Sequence, residues 1–89
     1  MSHFLKTESR FFLPVIMGEK KAEIRLNDRY FQVGDCIVLS EIDSSKKRTG
    51  QKALLEITHI LTHAEFPSGL QENYCILSFK LLQTKLNLL

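Results

Sequence analysis

The residues able to do chemistry concentrate in one stretch, Gly18-Glu19-Lys20-Lys21-Ala22-Glu23-Ile24-Arg25, followed by Asn27-Asp28-Arg29 and Gly34-Asp35. Ala22 to Leu26 alternates in polarity, so Ala22, Ile24 and Leu26 face one way and Glu23 and Arg25 the other. Lys20 stands just ahead of that strand. An ammonium, a carboxylate and a guanidinium are therefore expected to meet at one place. An Arg fork beside a carboxylate and a Lys suits a planar polar ligand, such as a base edge or a phosphate. The plainer alternative is a surface charge network, which contributes little.

Other groups are less concentrated. Lys46-Lys47-Arg48 is a basic run, readable as peripheral phosphate contacts that would make affinity salt-dependent, or as a solvated loop. Tyr30, Phe31 and Tyr74 are the aromatics nearest polar strand ends, where a ring can stack on a base. Core packing is the expected fate of Phe31. Tyr74 is the one expected at the cleft, because Cys75, Leu77 and Phe79 take the core-facing positions of its strand. His59 and His63, with Cys36 and Cys75, make a nominal zinc set, but the cysteines sit singly in apolar runs instead of in knuckles. Two buried free thiols in a reducing compartment are expected, with no metal and no other cofactor.

These residues must be positioned by a small frame. For 89 residues, area scaling gives ~5,400 Å² exposed when folded against ~15,000 Å² extended, so roughly 64% is buried around one modest core. A large enzyme with its own cofactor domain is excluded. Hydrophobic residues at 44% and charged residues at 25% exclude general disorder. A net charge of +2 permits nucleic-acid binding without demanding it. No apolar stretch reaches membrane-spanning length. The Lys6–Met17 start resembles a signal peptide only superficially, because Pro14 interrupts it and no small-residue cleavage site follows. A cytoplasmic location is expected.

Along the chain, Thr7 to Met17 reads as a short helix, with Thr7 and Ser9 as N-cap candidates, Gly18 at its exit and a kink at Pro14. Phe12, Val15 and Ile16 share its core face. Ala22–Leu26 reads as a strand. Cys36–Ile42 reads as a central strand buried on both faces, and 43–50 as an exposed hairpin loop. Ala53–Thr62 reads as a long strand with Leu55, Ile57, His59 and Leu61 on one face. Residues 63–73 form a loop, and Tyr74–Leu82 is the last strand, with Cys75, Leu77, Phe79 and Leu81 toward the core. The expected architecture is α+β or mainly β: a small mixed barrel of about five strands with one N-terminal helix beside it. Residues 1–82 make one domain, and 83–89 a helical or disordered tail.

The run Gly18-x-Lys20-x-x-Glu23-x-Arg25, then Gly34-Asp35 and a strand, resembles the signature of the ASCH domain of the PUA-like superfamily. With His3-x-Leu5-Lys6, Phe12, Phe31-Gln32-Val33, Thr49-Gly50 and Gly69-Leu70 before Tyr74, it resembles a small phage and bacterial subset, over about residues 3 to 82. The resemblance implies a PUA-like β-barrel with its helix beside a cleft, and recognition of RNA or modified nucleosides. Bacterial ASCH relatives include amidohydrolases that deacylate N4-acetylcytidine with a Lys, a Thr and a Glu. The Lys falls on Lys20, the Thr position holds Glu23, and residues 63–73 are shorter than the helical insert that carries their Glu. If this chain were such an enzyme, Lys20 and Glu23 would be its catalytic residues.

The leading expectation is a binding module for RNA or a nucleotide-like ligand. Lys20, Glu23 and Arg25 hold the ligand, and Lys6, Arg29 and Tyr74 flank it. The alternatives are an amidohydrolase acting on N4-acylated cytidine or another modified nucleoside, and a phage accessory protein binding a host protein. A monomer or weak homodimer is expected, with no membrane association.

Overall fold

The computed structural model describes residues 1–86. Its elements are β1 (Ser2–Glu8), α1 (Ser9–Ile16), β2 (Ala22–Leu26), β3 (Cys36–Ile42), β4 (Arg48–Thr62), a 3₁₀ turn (His63–Glu65) and β5 (Tyr74–Lys85). The strands form one mixed sheet in the order β1-β3-β4-β5-β2, curled into a half-barrel. β1 runs parallel to β3, and the other pairs are antiparallel. The small mixed, barrel-like α+β architecture expected from the sequence is present at this level.

The first element departs from expectation. Ser2–Glu8 is a strand in which His3, Leu5 and Thr7 are buried and the residues between them exposed. Thr7 therefore belongs to β1, and the helix starts at Ser9. Neither Thr7 nor Ser9 caps it: Glu8 holds the cap position with no side-chain bond, and the Ser9 hydroxyl donates to the Ile42 carbonyl at 3.4 Å. The helix runs through Pro14 and buries Phe12 and Val15. Gly18 ends it in the left-handed region (φ 77°), where a Cβ would be strained.

The core holds Leu5, Phe12, Val15, Phe31, Leu39, Leu55, Ile57, Cys75, Leu77 and their neighbours between helix and sheet. β3 is interior in the sheet but buried on one face only: Ile37, Leu39 and Glu41 point in, and the alternate residues are half-buried. The sheet has a helix on only one side, so the near-continuous apolar run does not mean two covered faces. β4 begins at Arg48, five positions before Ala53, because residues 43–47 close a tight hairpin on the Asp43 carboxylate, which accepts the Ser45 and Lys47 N–H groups at 2.8 and 3.0 Å. A register shift between Ile57 and His59 breaks the alternation of β4. It leaves His59 exposed and packs Ile60 on the core in place of His59 and Leu61. Leu81 on β5 is likewise exposed instead of core-facing. β5 continues to Lys85, so residues 83–85 of the expected tail are strand, paired with Lys52–Leu54. Leu86 follows without regular structure, and the rest of that expectation, 87–89, lies outside the described residues.

Candidate functional site

β2 and β1 are the two edges of the curled sheet, and the seam between them is closed by side chains. Arg25 donates from Nη2 to the main-chain carbonyl of Lys6 at 3.0 Å, and Arg29 from Nη1 to that of Phe4 at 3.1 Å. These carbonyls lie on β1, whose outer edge has no strand partner among the described residues. The two guanidinium groups thus hydrogen-bond a sheet edge that would otherwise be open.

The alternation of β2 decides what faces inward. Glu23 pairs with Leu77 and Arg25 with Cys75, and directly opposed residues share a sheet face. Leu77 and Cys75 are buried, so Glu23 and Arg25 lie on the concave side. Ile24 and Leu26 point outward, 64% and 46% exposed. Within the curl the Arg25 Nε donates to Glu23 Oε2 at 2.9 Å, with only 10% of the Glu23 side chain and 24% of the Arg25 side chain exposed.

A cavity of about 730 Å³ opens at the seam. Its walls combine Lys6, Thr7, Glu8 and Phe11 from the β1–α1 junction with Lys20, Glu23, Arg25 and their neighbours on β2, closed by Ile42 and Ile76. Its volume lies within the range of small-molecule sites, roughly 300–1,000 Å³, and its mixture of apolar wall and few polar groups is typical of them. Lys20 leaves the helix end, where the Pro14 carbonyl accepts the N–H groups of Glu19 and Lys20, and its ammonium donates to the Ala22 carbonyl. Thr7 is buried, yet its hydroxyl has no protein partner among the described residues. Every fully buried side-chain N or O there is hydrogen-bonded, so this hydroxyl keeps some solvent access, on a residue that lines the cavity. The same reasoning leaves Glu23 Oε1, an acceptor, and Arg25 Nη1, a donor, solvent-accessible and without a protein partner among the described residues.

Four of the sequence-predicted site residues, Lys6, Lys20, Glu23 and Arg25, thus line one cavity. Arg29 does not; it ties the seam at Phe4 and pairs with Asp28 at 3.6 Å. Tyr74 is half-buried opposite Leu26 on the outward face and is not part of the wall. Lys46, Lys47 and Arg48 sit on the β3–β4 hairpin, also outside it. His59 is exposed, and the His63 Nδ1–H donates to the Leu70 carbonyl. Among the described residues no group of three or more His, Cys, Asp or Glu side chains comes together. Burial pushes the Cys75 thiol up, with a smaller push from Asp28, so it stays protonated at neutral pH.

Sequence reasoning placed Lys6 at the site but missed the strand that carries it, the Thr7–Glu8 part of the wall and the burial of two carboxylates. Asp35 accepts from His3 Nε2 at 2.8 Å and from the Gln32 N–H at 3.0 Å. The His3 bond does most to hold its carboxyl below the usual range, against an upward push from burial. Glu41 accepts from the Thr49 hydroxyl at 2.7 Å and from the Gln51 amide at 2.8 Å. Burial alone would raise its pKa, but these hydrogen bonds, with Ser9, together lower it. The alternation of His3, Leu5 and Thr7 was the available signal for β1. Nothing in the sequence marks Glu41 as buried.

Among the described residues no helix is long and apolar enough to cross a membrane. No curated protein matches the chain. A family model does match, over residues 2–79, which takes in every strand but the end of β5, the whole cavity wall and both seam arginines: the chain belongs to the family described as Domain of unknown function (DUF3850).

Proposed function

We propose that this domain is an ASCH/PUA-like binding module of the cytoplasm whose seam cavity receives RNA or a nucleotide-like ligand. The observation that carries this reading is the convergence of Lys20, Glu23 and Arg25 on one cavity, with Glu23 Oε1 and Arg25 Nη1 left open there. A nucleobase edge offers donors that a carboxylate accepts and acceptors to which a guanidinium donates. Lys20 and Lys6 supply cationic contacts to the sugar-phosphate, and Phe11, Ile24 and Ile76 the apolar wall. Lys46, Lys47 and Arg48 add attraction at longer range. Titration of short RNAs and nucleotides at low and moderate salt tests it. Binding is expected to weaken with salt and to be lost in Lys20→Ala/Arg25→Ala. Absence of binding at low salt, or binding unchanged in the double variant, refutes it.

A hydrolytic reading has one observation in its favour: Thr7 places a hydroxyl on the same wall as Lys20 and Glu23. A hydroxyl, a carboxylate and an ammonium together can serve as nucleophile, base and acid. This reading predicts turnover of N4-acetylcytidine or a related acylated nucleoside that is lost in Lys20→Ala. No turnover across a panel of acylated nucleosides removes it.

A further inference from the structure

The loop between β2 and β3 places an aromatic residue where the fold has no use for it. Phe31 is buried, with its ring 4.7 Å from the buried His3 ring, so this pair pins the loop against the inner face of β1. Their chain neighbours, Tyr30 and Phe4, are 89% and 69% exposed. Tyr30 is held in the left-handed region at φ 51°, a strained conformation that bulky side chains rarely adopt. Among the described residues its side chain makes no hydrogen bond or ring contact that would repay this strain. Arg29 lies between the two aromatics, preceding Tyr30 in the chain and donating to the Phe4 carbonyl.

Phe4 and Lys6 share the exposed face of β1, about 7 Å apart, and Lys6 lines the cavity. A path therefore leads from the cavity past Lys6 to Phe4, Arg29 and Tyr30. With the cavity wall included, its charges are Lys6, Lys20, Arg25 and Arg29 against Glu8, Asp28, which pairs with Arg29, and Glu23, which pairs with Arg25. Exposed aromatic rings next to cations along this edge match single-stranded nucleic acid, in which bases stack and phosphates need counter-charges. A purely apolar protein partner would instead have to desolvate Lys6 and Arg29 within the patch.

We infer that Phe4 and Tyr30 form a stacking platform for the nucleotides that flank the one held in the cavity, so that the preferred ligand is a short single strand of RNA. This rests on the RNA reading above. The test compares an eight-nucleotide RNA of mixed sequence with the four nucleoside monophosphates, at low salt. The proteins are the unaltered chain, Tyr30→Ala, Tyr30→Phe, Phe4→Ala and Lys20→Ala/Arg25→Ala, with thermal melts to confirm folding. Tyr30→Ala is expected to weaken the octamer about tenfold, leave the monophosphates unchanged and be rescued by Tyr30→Phe. Octamer binding that survives Tyr30→Ala and Phe4→Ala but is lost in Lys20→Ala/Arg25→Ala overturns the platform while the cavity reading stands. No binding of either ligand by the unaltered chain overturns both.

Discussion

Removing Arg25 should unfasten the seam, and its size can be worked out. Arg25→Ala deletes two bonds, one to the Glu23 carboxylate at 2.9 Å and one to the Lys6 carbonyl at 3.0 Å. Hydrogen bonds to charged groups contribute about 1.5–3 kcal/mol each, and the partial exposure of Arg25 puts these at or below the low end. The substitution also strands Glu23, whose side chain is only 10% exposed, without its cation. Together these effects predict a loss of about 2–3 kcal/mol. With a urea slope of about 1 kcal/mol/M for a domain of this size, the unfolding midpoint should fall by roughly 2–3 M. Arg25→Lys should lose about half as much, since one ammonium cannot reach two acceptors in different directions. Glu23→Ala/Arg25→Ala should cost less than the two single substitutions summed, because the stranded carboxylate is gone. If Arg25→Ala unfolds at the midpoint of the unaltered chain, the guanidinium does not hold the seam and this account of closure is wrong.

Acid should weaken the fold through Asp35 and Glu41. Both carboxyls are lowered in the folded state, so their stabilisation is complete above about pH 4.5 and is lost as pH falls through the lower folded values. Urea midpoints measured from pH 6 to pH 2.5 should decline, and Glu41→Gln should flatten the decline; an unchanged slope in that variant would show that Glu41 is not linked to folding. Gly34→Ala should cost about 1–2 kcal/mol, since Gly34 sits at φ 95° and an added Cβ meets no neighbour, which leaves backbone strain as the whole cost. Thermal unfolding would read this directly, and an unshifted midpoint would mean the turn relaxes. Ile57→Ala, at a fully buried site on the central strand β4, should cost about 2–5 kcal/mol, also read by urea unfolding.

The parts of the fold that the sequence disclosed are those governed by local rules. The alternation of Ala22–Leu26 is a period-two pattern and needs no distant partner to be read. Phe12 and Val15 are legible by helical spacing, and the exit of α1 by Gly18. What escaped depends on remote contacts. β1 pairs in parallel with β3, some thirty residues away, so no turn announces it, and Thr7-Glu8-Ser9 imitates a helix start. The inward face of β3 ends in a carboxylate because Thr49 and Gln51 arrive across the hairpin to bind it. The shift at Thr58 in β4 adds a residue without any Gly or Pro to mark it.

The candidate site shows the same division, and it explains why β2 carries its polar face inward. Alternation states that Glu23 and Arg25 oppose Ile24, but hydrophobicity would put Ile24 and Leu26 inside. The half-barrel reverses that choice because its edges do not meet as strands. The outer carbonyls of β1 accept hydrogen bonds from long polar side chains on the concave face of β2 and just beyond its end. Arg25 is thus fixed at Nε and Nη2 by the demands of closure. Among the described residues Nη1 has no protein partner, so the side chain that ties the seam keeps one donor free, which under the proposed function would serve the ligand. A ligand that engages Nη1 leaves both closing bonds in place, and the site needs no rearrangement of the seam to fill.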